Sequence, residues 1–258
     1  MDHVIPLKKI RPGWWLDAIC LAGFVALTVA LSFDWFLGQD IAVRDFIDAH
    51  RPGWLRGLLV GLNFLGSGTW VAAISLLIAL WRVLGPTLRE DGKWNPTLRE
   101  SRAWQRLRSW RVWWPVYPVV AAQVLTVLTI GPAKFFTARH APRAEGTIGA
   151  FFDVPIGITH PTSYPSGHAV NSLVWYAVLV IVAAPWLSAG WRRVLRIVPP
   201  VVVTFTTVYL SFHWVTDTIA GLLLGLPLAR LIDRVDWPAL ADSPSSSRSA
   251  STSEEGTA

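Results

Sequence analysis

Residues 162–187 read TSYPSGHAVNSLVWYAVLVIVAAPWL. Pro165, Ser166, Gly167 and His168 stand directly before about twenty residues that are nearly all apolar, the length a helix needs to cross a bilayer core of about 30 Å. An ionisable ring at the mouth of a membrane helix is costly to keep there, so it calls for a chemical explanation.

The rest of the chain has the same character. Of its 258 residues 52% are hydrophobic and 16% charged, against about 25% charged in a soluble domain; the mean hydropathy is +0.41. Apolar windows at 14–33, 69–84, 113–131, 167–187, 197–212 and 214–232 predict six spans, hence an all-α, six-span transmembrane helix bundle. Residues 1–242 form one integral-membrane domain, and the Ser-rich stretch 243–258 reads as a disordered tail. The first window follows Lys8, Lys9 and Arg11 without a small-residue cleavage site, so it reads as an uncleaved span.

Basic residues set the orientation. They precede the first span, crowd the connection 82–111, recur at Arg192, Arg193 and Arg196, and close the last span at Arg230 and Arg234. In a six-span protein these regions share one side, the cytoplasmic one, with both termini. The formal net charge of +6 is therefore topological. No basic stripe with spaced aromatics points to nucleic acid. The single cysteine, Cys20, precludes an intramolecular disulfide and reads as a small apolar residue. These features fit a bacterial inner membrane. Segment 34–66 falls outside, mixes Asp and Arg, and contains a short amphipathic helix at 41–50 suited to the interface.

The same outer face receives the loop 132–166, the start of the fourth span and the turn 211–216. Lys134, His168, His213 and Asp217 thereby converge. His213 and Asp217 are four residues apart and share a helical face, so a carboxylate can fix one ring nitrogen and leave the other as base or nucleophile. A structural histidine at a helix end is the plainer reading of that pair. Pro165, Ser166 and Gly167 shape a helix start whose free amides favour an anion, with His168 placed to donate a proton. An ordinary N-cap, a snorkelling histidine and a span-end lysine are the plainer readings there. Taken together the groups specify an outward-facing phosphoryl-transfer site. Zinc held by His168, His213 and Asp217 is the competing constellation, though a lysine and a helix-start cradle suit an anion better.

YPSGHAVNS (164–172) and VYLSFHWVTDTIAG (208–221) resemble the second and third motifs of the type-2 phosphatidic acid phosphatase superfamily, metal-independent membrane phosphatases related to vanadium haloperoxidases. The resemblance runs from Lys134 to Leu224. It implies that His213 attacks phosphorus and becomes a phosphohistidine, Asp217 polarises it, and His168 protonates the leaving group. It further implies that Lys134, Ser166 and Gly167 hold the phosphoryl oxygens, with no metal and no cofactor.

Two arginines of the family pattern are missing. In KFFTARHAP (134–142) Ala141 occupies the arginine position of the first motif, and Thr206 and Thr207 replace the Ser-Arg of the third. Arg139 and Arg143 flank the first gap and are the candidates to compensate. Charges facing solvent or headgroups are the plainer reading of both. The expected activity is hydrolysis of a lipid phosphate or diphosphate, of isoprenoid or phosphatidate type. A phosphotransferase using the same histidines and a non-catalytic lipid-phosphate binder are the alternatives, and a channel is disfavoured because the polar groups gather at one face.

Overall fold

The computed structural model describes residues 13–90, 106–137, 139–144, 149–152 and 163–242. Its helices are α1 (Trp14–Ser32), α2 (Leu37–His50), α3 (Gly53–Asn63), α4 (Gly68–Glu90), α5 (Tyr117–Thr137), α6 (Gly167–Val182), α7 (Ala189–Tyr209), α8 (Val215–Arg234) and α9 (Trp237–Asp242). Among the described residues there is no strand. The expected tail at 243–258 and the basic residues Lys8, Lys9, Arg11, Lys93, Arg99 and Arg102 lie outside them.

Among the described residues, four helices are long and apolar enough to cross a membrane: α1, Gly68–Pro86 of α4, α5 and α8. Helix α6 is apolar but has 16 residues. It stops before the expected 187 because Pro185 cannot continue an α-helix, and a 3₁₀ turn (Ala184–Trp186) follows. Helix α7 begins at Ala189, earlier than expected, because Ser188 caps it by accepting from the Trp191 amide at 3.3 Å. The window at 113 opens instead with a 3₁₀ turn (Trp110–Trp113), and α5 starts at Tyr117 with Pro118 in its first turn. The amphipathic segment extends over the whole of α2, and α3 follows it.

Large apolar side chains such as Trp15, Ile19, Leu77, Leu128 and Val201 point outward from α1, α4, α5 and α7, a pattern suited to lipid rather than water. Helix α6 is the opposite case. It packs on α4, α5, α7 and α8, and Val170, Val174, Val178 and Val182 along it are all fully buried. A helix apolar on every side belongs at the centre of a bundle.

Helix α6 packs most extensively on α8, and two glycines permit the close approach. A Cβ on Gly221 would meet the Ser166 carbonyl at 2.6 Å, and one on Gly225 would meet Val170 Cα at 2.9 Å. Small residues four apart let membrane helices approach closely. This approach brings the start of α6 against the first turn of α8, where the Ser166 amide donates to the Asp217 carbonyl at 2.9 Å. At the other end of α8, Arg230 donates to Asp17 of α1 at 2.6 Å, and Arg234 also pairs with Asp17.

Candidate active site

Helix α6 opens with Ser166, whose hydroxyl accepts from the Ala169 amide at 3.4 Å. The hydroxyl thus completes the helix start, and the amides of Gly167 and His168 lie in the first turn, where the helix dipole favours negative charge. Lys134, near the end of α5, reaches this turn: its Cε lies 3.9 Å from the position a Gly167 Cβ would take. Tyr164 anchors the approach from behind. Its Oη lies 2.6 Å from Thr28 Oγ1 of α1, and burial pushes its phenol up to about 12.

His213 lies in the short link between α7 and α8, and Ser211 before it has a φ of 56°. The His168 and His213 rings are 5.6 Å apart between centroids and inclined at 65°. Asp217 is fully buried behind His213, with Oδ2 3.7 Å from His213 Nδ1. That distance exceeds a hydrogen bond, and Nδ1 is buried without a partner. Catalytic contacts often stay long until substrate binds. Thus the structure brings together Lys134, Ser166, Gly167, His168, His213 and Asp217.

Arg139 takes a place that the sequence did not suggest. Its guanidinium is buried, with Nη1 donating to Asp217 Oδ1 at 2.7 Å and to Thr216 Oγ1 at 2.8 Å. Nη2 donates to Asp40 Oδ2 at 2.7 Å, and Nε donates to the Gly149 carbonyl at 2.9 Å. Asp40 also accepts from the Thr216 amide and from its hydroxyl. An arginine so occupied holds the protein's own carboxylates. It is a structural cation behind His213, not one facing the space between the histidines.

Arg143 is placed differently. It is exposed, and its guanidinium lies 4.1 Å from the centroid of the Phe212 ring, itself 6.4 Å from the His168 ring. Desolvation, then the charges of Arg56 and Arg51, push its pKa below the usual arginine value, while Asp48 acts the other way. Arg51 is engaged by Asp48 and the Tyr209 carbonyl.

At the second missing arginine, the Thr206 and Thr207 hydroxyls both donate to Asn63 Oδ1 of α3, at 3.0 and 2.7 Å. All three residues are buried. A neutral amide thus closes the position.

Sequence reasoning missed Asp40, Thr216 and Asn63. Asp40 offered no signal, being one of four aspartates in a segment of mixed charge. Arg44, four residues on, pairs with Asp45 at 2.8 Å. The Gly221 and Gly225 spacing was a legible sign of close helix approach. As for the zinc alternative, both Asp217 oxygens already accept hydrogen bonds, from Arg139 and from the Trp214 amide. Among the described residues no three His, Cys, Asp or Glu side chains are gathered to hold a metal ion.

A family model described as the PAP2 superfamily matches residues 111–239. The phosphatidylglycerophosphatase B of Bacillus subtilis is 38% identical over 218 residues, 83% of this chain and 91% of that protein. An undecaprenyl-diphosphatase of Sulfolobus acidocaldarius is 40% identical over 63 residues, and the match spans only 28% of its length. Among solved structures, a transmembrane PAP2-type phosphatidylglycerolphosphate phosphatase from Bacillus subtilis superposes with a TM-score of 0.59 at 20% identity, covering 85% of this chain and 94% of that one.

Proposed function

Because the chain belongs to the PAP2 superfamily, we propose that it is a membrane phosphatase hydrolysing a lipid phosphate or diphosphate through a phosphohistidine. The observation that carries this reading is the facing pair His168 and His213, supplied by different elements, with Asp217 behind the second. The names of the two relatives support a lipid substrate.

In the first step His213 attacks phosphorus in line. A P–N bond forms, the ester or anhydride P–O bond breaks, and His168 gives its proton to the departing oxygen. In the second step His168 takes a proton from water, the resulting hydroxide attacks phosphorus, and inorganic phosphate leaves with His213 restored. Asp217 holds the His213 imidazole and balances its positive charge. Ser166, the Gly167 and His168 amides, and Lys134 hold the phosphoryl oxygens, whose charge grows in the transition state. Of the two arginines flanking Ala141, Arg143 supplies added positive charge at the mouth, helped by Arg56, while Arg139 serves Asp217.

The bundle crosses the membrane six times, with α6 and α7 joining α1, α4, α5 and α8, and the histidines face outward. The distribution of arginines supports this orientation. Arg82, Arg192, Arg193, Arg196, Arg230 and Arg234 occupy helix ends away from the histidines, as cytoplasmic ends require.

The test is phosphate release by detergent-purified protein in EDTA, against lipid phosphates and diphosphates, with His213→Ala beside it. Release by the parent alone supports the phosphatase. No release from any substrate, with lipid binding retained by both proteins, overturns it in favour of a binding role, and phosphoryl transfer to an added lipid alcohol identifies a transferase.

A further inference from the structure

Helix α2 lies outside the residues that the family model matches, yet it reaches the candidate active site. Its only buried residue is Asp40. The apolar residues of α2 stay exposed or half-buried, Val43 and Phe46 among the exposed. A surface helix ordinarily docks through an apolar stripe; this one docks through carboxylates.

Two of those carboxylates bracket His213. Asp40 accepts from the Thr216 amide at 3.2 Å and from the Thr216 hydroxyl, three residues after His213. About two turns further along α2, Asp48 accepts from the Ser211 hydroxyl at 3.0 Å, two residues before His213. Arg51 completes this second contact, donating to Asp48 at 2.7 Å and to the Tyr209 carbonyl at 2.7 Å. Asp40 also shares Arg139 with Asp217, so α2 is tied to the carboxylate behind His213 as well.

The link 210–214 needs such support. Ser211 has a φ of 56°, a conformation that a residue with a Cβ keeps only where its surroundings impose it. His213 itself is loosely held: its amide donates to the Thr207 carbonyl at 3.4 Å, and its Nδ1 has no hydrogen-bond partner. Its place is therefore set by its chain neighbours, and α2 grips those on both sides.

On the reading of His213 as the phosphatase nucleophile, we propose that α2 is its splint, with Asp40 and Asp48 as positioning residues that keep the ring aimed at phosphorus. Neither touches the reacting atoms; each acts through Thr216 or Ser211. A displacement of about 1 Å costs about a hundredfold in rate, so these bonds are felt in kcat rather than in KM.

Asp40→Asn, Asp48→Asn and Ser211→Ala in the full chain test this, with Asp45→Asn as the control. Asp45 pairs with Arg44 on the same helix, so its loss removes the same charge and no bond to the link. Two quantities are measured per folded protein: kcat and KM for phosphate release, and the rate at which diethylpyrocarbonate modifies His213, followed by mass spectrometry. The second needs no turnover. A parent that releases no phosphate sinks the phosphatase reading, and His213 reactivity still decides on the splint. Asp48→Asn and Ser211→Ala are each expected to lower kcat about tenfold at unchanged KM, with no further loss when combined. His213 modification speeds up about tenfold in both, as the opened link becomes more populated. Asp40→Asn is expected to lose about a hundredfold in kcat; if it fails to fold, Asp48→Asn decides, since that carboxylate is 43% exposed. Asp45→Asn keeps both parental values. Parental kcat and parental His213 reactivity in Asp48→Asn and Ser211→Ala overturn the proposal, even with a lowered unfolding midpoint, and so does an equal loss in Asp45→Asn.

Discussion

Arg139 and Asp217 meet at 2.7 Å inside the bundle, and the same guanidinium reaches Asp40 at 2.7 Å on its other side. One cation therefore serves two buried carboxylates. An arginine given wholly to Asp217 would neutralise it; shared with Asp40, it leaves part of the Asp217 charge to face His213, whose Nδ1 lies 3.7 Å from Oδ2. Arg139→Gln leaves both carboxylates buried without their counter-ion. The expected cost is about 3–5 kcal/mol of stability, read from unfolding in detergent. Arg139→Lys keeps the charge but loses the fork, and a milder loss is expected. An unchanged unfolding midpoint for Arg139→Gln would refute this account.

The two histidines are expected to fail differently. His213→Ala removes the nucleophile and lowers phosphate release by about 10⁴-fold or more, with no labelled enzyme. His168→Ala loses about 10²–10⁴-fold on a lipid substrate. With an aryl phosphate, whose leaving group needs no proton, His168→Ala still forms the phosphohistidine but cannot activate water. Acid-labile radiolabel then accumulates on this variant, and its absence would remove His168 from the second step.

At the site mouth, Arg143→Ala is expected to lower kcat/KM by about tenfold to a hundredfold. That is less than the 10²–10³ of a preorganised donor, because Arg143 is exposed. Its unfolding midpoint should match the parent, in contrast to Arg139→Gln. Equal kcat/KM for Arg143→Ala and the parent would show that Lys134 and the helix start suffice.

Restoring an arginine at position 207 is expected to harm rather than help. Thr207 is buried against Asn63, so Thr207→Arg forces a charge into a closed neutral position and breaks a 2.7 Å hydrogen bond. Loss of stability without gain in kcat is the expected outcome, from paired unfolding and phosphate-release assays. A rise in kcat would mean that the position opens toward the phosphate.

Gly221→Ala tests the helix contact beneath the site. The added methyl would lie 2.6 Å from a backbone oxygen and 2.9 Å from Ala169 Cβ, so α6 must shift. Overpacking of this kind costs about 1–3 kcal/mol. Because the Ser166 end of α6 moves, kcat should fall even where the protein stays folded. A Gly221→Ala enzyme with parental kcat would contradict that coupling.

Much of this was legible in the sequence, and the unread part has a common cause. The helices announce themselves through apolar runs, although Pro185 and Ser188 moved the junction of α6 and α7. The gathering of Lys134, His168, His213 and Asp217 at one end followed from counting spans. Partner choice among charged residues did not follow. Asp40 and Arg139 are 99 positions apart, and whether each faces solvent or the core depends on how α2 settles against α8. The arginine pattern gave the same ambiguity: Arg139 and Arg143 look alike in the chain, yet one is buried among carboxylates and the other lies over Phe212.

Helix α6 has His168 in its first turn and an Arg82 contact at its last residue, where the guanidinium donates to the Val182 carbonyl, with a core of buried valines between. At about 1.5 Å per residue, His168 and Val182 stand about 21 Å apart along one buried rod. A slide of a single residue's rise, about 1.5 Å, is half the length of a hydrogen bond and would withdraw the amides from a bound phosphate. Whatever holds the Val182 end, Arg82 first among it, therefore helps to set the alignment of the first turn.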